Sequence, residues 1–265
     1  MSGRIDRGVG RSIFGLDPAG YHAARLDYPD ALYERLFDGA DGNPIRAIVE
    51  IGAGTGHATA KLLAPGVERL VAVEPDAALA TYLRTAFGGQ AVEVVNSDFV
   101  SASVTGTFDL VAAASSFHWL DPDAALPRIH ALLRPRGRIA LWWNAYRQPG
   151  IGDPFADATM PLLEGLDLPP SESMQGHYSL DTDLHLGRLR AAGFDSVDHQ
   201  IFRRERILSA ADARALYASY SFVRALPEDR RATLLEAIAN LVDKEFEGAA
   251  PNVVLTALYL GRRSA

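Results

Sequence analysis

Short apolar runs and segments of helical periodicity alternate along the chain from residue 45 to residue 144. The apolar runs are too short for buried helices, and the polar turns around them favour strands. These runs lie at 49–51, 70–73, 92–95, 108–113 and 138–143. Because crossover connections between such strands are right-handed, we expect a parallel sheet with ligand-binding loops at the carboxyl ends of its strands.

The pattern differs on either side of this region. Residues 1–44 predict a glycine-rich leader and a helix that together form a lid segment, and residues 148–182, rich in Pro, Gly, Asp and Ser, predict an insertion over the site. The remaining predicted elements are a helix at 184–192, a strand at 196–207, helices at 210–225 and 228–247, and a last strand at 253–260.

Three glycines spaced two apart follow the first predicted strand, at Gly52, Gly54 and Gly56. Glycine accepts positive φ and has no Cβ, so a ligand can lie directly against this turn where the next helix begins. A dinucleotide fingerprint would place a glycine where the chain has His57. The carboxylate of Glu50 before the turn repels a pyrophosphate but attracts a ligand that carries an ammonium and a sulfonium.

Carboxylates also follow the next two predicted strands. Glu74 stands where a carboxylate accepts both hydroxyls of a ribose. Asp98, beside Phe99, is suited to accept from an adenine amine while the aromatic ring packs on the base. Taken singly, either carboxylate is also compatible with a solvated loop. Together they predict an adenosine site at one edge of the sheet.

Six motifs in this order resemble the class I S-adenosylmethionine-dependent methyltransferases. The motifs are EIGAGTG at 50–56, VEPD at 73–76, SDF at 97–99, FDLV at 108–111, FHW at 117–119 and LLRPRGRIAL at 132–141. Within that family the chain is most similar to the small-molecule branch that includes trans-aconitate methyltransferase, whose members also carry an N-terminal Tyr and Arg and a His-Trp pair.

The resemblance implies an α/β fold, a Rossmann-like seven-stranded mostly parallel sheet with helices on both faces. It places the last strand antiparallel between its two predecessors, and adds an N-terminal helical lid and helical insertions over the active site. The implied division is a lid at 1–44 and a methyltransferase domain at 45–265, with cap insertions at about 145–183 and 209–250.

The resemblance also implies the site residues. S-adenosyl-L-methionine is the expected cofactor, with S-adenosyl-L-homocysteine as its product. The cofactor-binding residues would be Tyr21, Arg25, Glu50, Gly52, Ala53, Gly54, Gly56, Glu74, Pro75, Ser97, Asp98, Phe99 and Ser115. Arg25 would reach the cofactor carboxylate through its planar fork. His118 is the candidate catalytic residue, as a base or as a hydrogen-bond donor; we favour the donor that orients the acceptor, because the resemblance points to carboxyl methylation.

Net charge and composition exclude several classes of substrate and of chemical site. A net charge of −7 over 265 residues argues against a nucleic-acid substrate. The absence of cysteine excludes disulfides, thiolate metal sites and cysteine nucleophiles, and we expect no metal. The amino terminus lacks the apolar core of a signal peptide, and no apolar run approaches membrane-spanning length, so we expect a cytoplasmic protein.

Two other function classes use the same sequence features. An NAD(P)-dependent oxidoreductase would share the glycine turn and the ribose carboxylate. That function does not explain the carboxylate of Glu50 directly before the turn, and no pair of residues suited to hydride transfer is identifiable in the sequence. A noncatalytic or repurposed methyltransferase fold would bind the cofactor and template another reaction or a partner. For a methyltransferase the expected acceptor is a small molecule, with an oxygen, as carboxylate or hydroxyl, favoured over nitrogen or carbon. The sequence does not indicate an oligomeric state.

Overall fold

The computed structural model describes residues 18–38, 44–63, 66–148, 150–168, 172–173 and 176–265. The first seventeen residues of the predicted lid, and residues 39–43, lie outside the described residues. The described part of the lid segment forms helices α1 (Pro18–Ala24) and α2 (Asp30–Asp38). Leu32 and Leu36, one helical turn apart in α2, are both fully buried, as their spacing predicts.

A seven-stranded sheet forms the centre of the fold. Its strands are β1 (Ala47–Ile51), β2 (Arg69–Val73), β3 (Val92–Val95), β4 (Phe108–Ala114), β5 (Leu133–Ala145), β8 (Phe194–Leu208) and β9 (Ala250–Arg263). The order across the sheet is β3-β2-β1-β4-β5-β9-β8. The pairs β1 with β2, β1 with β4, β2 with β3 and β4 with β5 are parallel. The predicted Rossmann-like sheet is therefore confirmed, with the last strand between β5 and β8.

Helices connect the strands, and several of them begin at a polar side-chain cap. The remaining α-helices and strands are α3 (His57–Leu62), α4 (Ala77–Ala86), α5 (Pro122–Leu132), α6 (Pro154–Thr159), β6 (Glu172–Ser173), β7 (Gly176–His177), α7 (Thr182–Ala191), α8 (Ala210–Ala218), α9 (Ser221–Arg224) and α10 (Glu228–Glu245). Short 3₁₀ helices lie at Phe117–Trp119, Met160–Leu163 and Tyr178–Leu180. The side chain of Asp76 accepts from two backbone N–H groups at the start of α4. Such a cap satisfies donors that the helix itself leaves unpaired.

The chain divides into two compact units. One unit is drawn from 1–26, 144–180 and 203–255, and the other from 27–143, 181–202 and 256–265. The first unit, which contains most of both predicted cap insertions, has its own apolar core around Phe155, Tyr217 and Ile238. The second unit contains β1 to β4 and has a core around Ile48 and Leu110. Each unit thus buries apolar side chains of its own.

The predicted helix at 210–225 is wrong as a single element, because the chain leaves the helical conformation at Tyr220. Its φ of −74° and ψ of 138° are extended, and α9 begins only after it. The hydroxyl of Ser219 donates to the Leu216 carbonyl across 2.5 Å. The break turns Tyr220 into the apolar core, where it packs against Tyr217 and Phe222.

The predicted strand at 138–143 is longer in the structure, because β5 begins at Leu133. Its register with β4 shifts between the Leu133 and Arg138 pairs, around a left-handed residue, Arg136, with a φ of 65°. A Cβ at Gly137 would lie 2.8 Å from the Arg134 carbonyl oxygen, so the irregular turn requires glycine there.

In the described ranges, no helix combines the length and the apolar character that a membrane span requires.

Candidate active site

The glycine turn connects the end of β1 to the start of α3. All three glycines have positive φ, of 66° at Gly52, 60° at Gly54 and 86° at Gly56. The backbone N–H of Gly52 donates to the Val73 carbonyl across 2.8 Å, which ties the turn to the end of β2. The turn therefore has the left-handed backbone that its glycine spacing predicts.

The three glycines differ in what surrounds them. A Cβ on Gly52 would lie 2.5 Å from the Cβ of Ser116, and one on Gly56 would overlap the ring of Phe87. A Cβ on Gly54 would have no heavy atom within 4 Å. Packing within the protein thus requires glycine at Gly52 and Gly56, whereas Gly54 borders open space where a ligand can touch the backbone.

Glu74, at the end of β2, contacts the glycine turn directly. One carboxylate oxygen accepts from the Gly54 N–H across 2.8 Å, and the other accepts from the Asp76 N–H across 2.9 Å. The side-chain amide of Asn96 donates to the carbonyls of Glu74 and Pro75. These bonds hold a largely buried carboxylate beside the open space at Gly54.

Glu50, at the end of β1, is a buried carboxylate with an incomplete set of partners. Its Oε2 accepts from the Thr59 hydroxyl across 2.6 Å, while no described residue donates to its Oε1. Burial is the largest cause of a pKa raised to about 8; the Thr59 hydrogen bond opposes the rise and the charge of Glu74 adds to it. The end of β1, directly before the glycine turn, therefore carries an acceptor atom that a cationic ligand can satisfy.

The end of β3 carries the predicted adenine contacts. Asp98 is half-buried, and its Oδ1 accepts from the Val100 N–H across 2.9 Å. The hydroxyl of Ser97 donates to the carbonyl of Asp98. Phe99 is 2% exposed, and the Arg128 guanidinium lies 5.3 Å from its ring centroid. The ring therefore supports the loop from inside, and its predicted packing on a base requires Arg128 or the loop to move.

The end of β4 is fixed by polar contacts of two serines. Ser115 has a positive φ of 51°, and its N–H donates to the Trp142 carbonyl across 2.7 Å. The Tyr28 hydroxyl donates to the Ser115 hydroxyl across 3.0 Å. The Ser116 hydroxyl donates to the Ile51 carbonyl, which joins this loop to the strand before the glycine turn.

His118 lies in a single 3₁₀ turn, Phe117–Trp119, directly after this loop. Its Nδ1 accepts from the indole Nε1–H of Trp143 across 3.0 Å, and its ring lies 4.7 Å from that of Trp119. His118 is half-buried, whereas Trp119 and Trp143 are buried. The predicted catalytic histidine is thus held by an indole from β5.

Within the described residues, no group of three metal-ligating side chains is arranged to hold a metal ion.

Tyr21 and Arg25 lie in the first unit, and their described contacts are within that unit. The Arg25 guanidinium lies 5.3 Å from the Tyr21 ring centroid, 5.2 Å from that of Tyr146 and 4.7 Å from that of Tyr220. Its Nη2 donates to the Ser219 carbonyl across 3.1 Å. These contacts fix the guanidinium among aromatic rings. The predicted contact of Arg25 with a cofactor carboxylate stays a prediction.

The sequence did not identify four residues that hold the site together. They are Tyr28, Thr59, Asn96 and Trp143. Thr59 and Trp143 had a detectable signal. Thr59 stands in the first turn of the helix after the glycines, and the tryptophan pair on one strand must face opposite sides. Tyr28 and Asn96 act across long sequence separations and leave no local pattern.

Sequence comparisons agree with the geometry. Residues 49–141 match the model of a family described as a methyltransferase domain. The chain is 28% identical over 223 residues to an uncharacterized methyltransferase of Schizosaccharomyces pombe, covering 84% of each protein. It is 33% identical over 131 residues to an uncharacterized methyltransferase of Mycobacterium tuberculosis, covering 49% of this chain and 51% of that protein.

Solved structures share the fold at low identity. A proposed type II methyltransferase of Anaeromyxobacter dehalogenans is 21% identical, with a TM-score of 0.61 over 91% of this chain and 99% of that one. Phosphoethanolamine N-methyltransferase 2 of Haemonchus contortus, in complex with S-adenosylhomocysteine, is 10% identical, with a TM-score of 0.53 over 97% and 58%. The [4+2]-cyclase SpnF is 16% identical, with a TM-score of 0.50 over 100% and 98%.

The chain shares the Rossmann-like fold of these solved methyltransferase structures. Residues 49–141 resemble the methyltransferase domain family, and both sequence relatives are named as methyltransferases. The comparisons do not favour an NAD(P)-dependent oxidoreductase.

The raised pKa of Glu50 predicts that the stability of the protein without ligand depends on pH. Its pKa rises from an ordinary value of 4.5 to about 8 on folding, so between these values the folded state holds a proton that the unfolded state has lost. Stability should therefore fall as the pH rises through this window, by up to about 1.4 kcal/mol per pH unit. Glu50→Gln cannot ionise, so its stability relative to wild type should increase from about pH 5 to pH 8 in urea unfolding. A difference that does not change with pH would contradict the assignment.

Proposed function

We propose that this protein transfers a methyl group from S-adenosyl-L-methionine to an oxygen of a small-molecule acceptor, and that the acceptor is a carboxylate. The observation that carries the cofactor assignment is the buried Oε1 of Glu50, which lacks a donor among the described residues, at a turn where Gly54 borders open space. A ligand with an ammonium group supplies the missing donor, and a pyrophosphate does not. The Haemonchus contortus enzyme with this fold binds S-adenosylhomocysteine.

The remaining residues of the sheet edge fit the adenosine part. The Glu74 carboxylate accepts from two backbone N–H groups of the turn, and it is proposed to accept from ribose hydroxyls as well. Asp98 at the next strand end is proposed to accept from the adenine amine. Pro75 follows β2, Ser97 follows β3 and Ser115 follows β4. All three are proposed to border the nucleoside.

When bound, the cofactor supplies an electrophilic methyl group on a sulfonium, whose leaving group is a neutral thioether. The protein's residues then have two tasks, to position the acceptor oxygen in line and to exclude water. Positioning of this kind contributes on the order of 7–11 kcal/mol. A carboxylate with a pKa near ~4 is ionised at neutral pH, so no residue need remove a proton, and exclusion of water favours a step in which opposite charges cancel.

A carboxylate acceptor is supported by the likeness to the trans-aconitate methyltransferase branch. The Haemonchus contortus neighbour is named an N-methyltransferase and SpnF a cyclase, so the fold by itself does not decide the acceptor or the reaction. The protein should be incubated with S-adenosylmethionine and panels of small carboxylates, phenols and amines. Methyl esters and S-adenosylhomocysteine in the carboxylate panel are expected, whereas cofactor binding without product in any panel would favour a repurposed fold.

Gly54→Val should abolish cofactor binding, because a β-branched side chain would fill the open space against the turn. Gly89→Val is a matched control, since Gly89 also has a positive φ, of 81°, and open space at its Cβ, but precedes β3 instead of following the carboxyl end of a strand. Both variants should melt at similarly lowered temperatures. Calorimetry should detect S-adenosylmethionine binding only in Gly89→Val; retained binding in a folded Gly54→Val would remove the turn from the site.

Glu74→Ala should raise the Kd for S-adenosylmethionine at least tenfold, from the loss of hydrogen bonds to a charged group, about 1.5–3 kcal/mol. The variant also releases two backbone N–H groups of the turn. Asn96→Ala loosens the same loop without removing the carboxylate, and it should raise the Kd by only about threefold. Equal losses in titration calorimetry of the two variants would count against a direct contact of Glu74 with the ribose.

The His118→Ala variant distinguishes whether His118 acts as a base or only orients the acceptor. We expect the acceptor KM to rise and kcat to fall by less than about 10²-fold, with unchanged cofactor affinity, because an ionised acceptor needs only orientation. Initial rates across pH with the acceptor found in the panels provide the measurement. A wild-type rate that rises steeply with pH and loses that dependence in His118→Ala, at constant KM, would identify His118 as a base.

A further inference from the structure

The contact between Trp143 and His118 determines which nitrogen of the imidazole carries the proton. The indole nitrogen of tryptophan can only donate, and it lies 3.0 Å from Nδ1 of His118. Nδ1 is therefore the unprotonated nitrogen. In the neutral imidazole the proton must then be on Nε2, which makes Nε2 a hydrogen-bond donor.

The indole is held in place by a buried aromatic cluster. Trp143 is 1% exposed and its ring centroid lies 5.1 Å from that of His185, which is also 1% exposed. The ring centroid of Tyr259, on β9, lies 6.3 Å from that of Trp143 and 4.5 Å from that of His185. Close packing against these buried rings restricts the orientation of the indole. Its N–H is thus a fixed donor toward the loop that carries His118.

We propose that Trp143 is a positioning residue that holds His118 as an Nε2–H donor to the acceptor oxygen. The proposal rests on the proposed function, since an acceptor must be present to be oriented. With Nδ1 occupied by the indole and the proton on Nε2, His118 has no lone pair with which to accept a proton from the acceptor. The site therefore selects acceptors that arrive already ionised, as carboxylates do, over alcohols and phenols that must lose a proton.

Trp142 provides a matched control for Trp143. The two residues are adjacent on β5, both are buried, and they face opposite sides of the strand. Trp142 packs edge-on against Tyr28 and Tyr33, and its indole nitrogen is buried with no partner among the described residues. The change from Trp to Phe removes the same group at both positions, but only at Trp143 does it remove the partner of His118.

The hydrogen bond can be measured by NMR without any acceptor. Long-range ¹⁵N spectra report the proton position in each of the seven histidine rings, and His118→Gln assigns the signals of His118. We expect the Nε2–H form alone in wild type and in Trp142→Phe, and signals averaged toward the Nδ1–H form in Trp143→Phe. A proton on Nδ1 in wild type, or signals of His118 that do not change in Trp143→Phe, would overturn the proposal.

The catalytic consequence is tested by a double-mutant cycle with the acceptor found in the panels. Trp143→Phe should raise the acceptor KM by roughly three- to tenfold, and His118→Ala should add little to the KM of Trp143→Phe. Trp142→Phe and His118→Ala should combine independently. Additive effects of Trp143→Phe and His118→Ala would contradict the positioning role. If no acceptor is methylated, the proposed function fails, while the NMR measurement still decides the hydrogen bond.

A second measurement applies if Trp143→Phe does not fold. The chain has three tryptophans, so its indole N–H signals are easily resolved. In His118→Ala, exchange of the Trp143 indole hydrogen with solvent should become at least about tenfold faster, because its acceptor is removed, while that of Trp142 should not change. Unchanged exchange at Trp143 would show that His118 is not its partner.

Discussion

A carboxylate buried at the end of β1 is the constraint on which the site depends. Glu50 is only 1% exposed, and one of its oxygens lacks a donor among the described residues. Leaving such a group unsatisfied is costly, and here the cost is visible as a pKa raised to about 8. A bound cation removes that cost. The glycine turn beside Glu50 and the second carboxylate, Glu74, then determine where the rest of a ligand lies.

The sheet topology explains why these groups meet. The parallel order places β1 beside both β2 and β4, so residues that follow three different strands converge at one edge. Hydrogen bonds then connect the loops in pairs: Glu74 with the turn at Gly54, Asn96 with the end of β2, and Ser116 with the end of β1. The edge is thus positioned by backbone pairing first and by a few polar side chains afterwards.

Local patterns in the sequence were sufficient to predict the strands, the glycine turn and the position of Glu74 and Asp98 after their strands, because apolar periodicity and glycine spacing act over a few residues. They were not sufficient where a distant residue decides the outcome. Ser116 and Phe87, rather than a ligand, require glycine at Gly52 and Gly56. Arg128 covers the ring of Phe99, and Tyr220 interrupts a helix by packing into the core. The tautomer of His118 depends on Trp143, a residue twenty-five positions along the chain.

The most direct test of the Glu50 assignment is whether cofactor binding releases a proton. Calorimetric titration with S-adenosylmethionine at pH ~6.5, in two buffers of different ionisation enthalpy, measures the number of protons released. Because Glu50 is protonated in the free protein at that pH and must ionise to pair with an ammonium, the account predicts release of about one proton per molecule bound, and none in Glu50→Gln. Tight binding by wild type with the same heat in both buffers would contradict it.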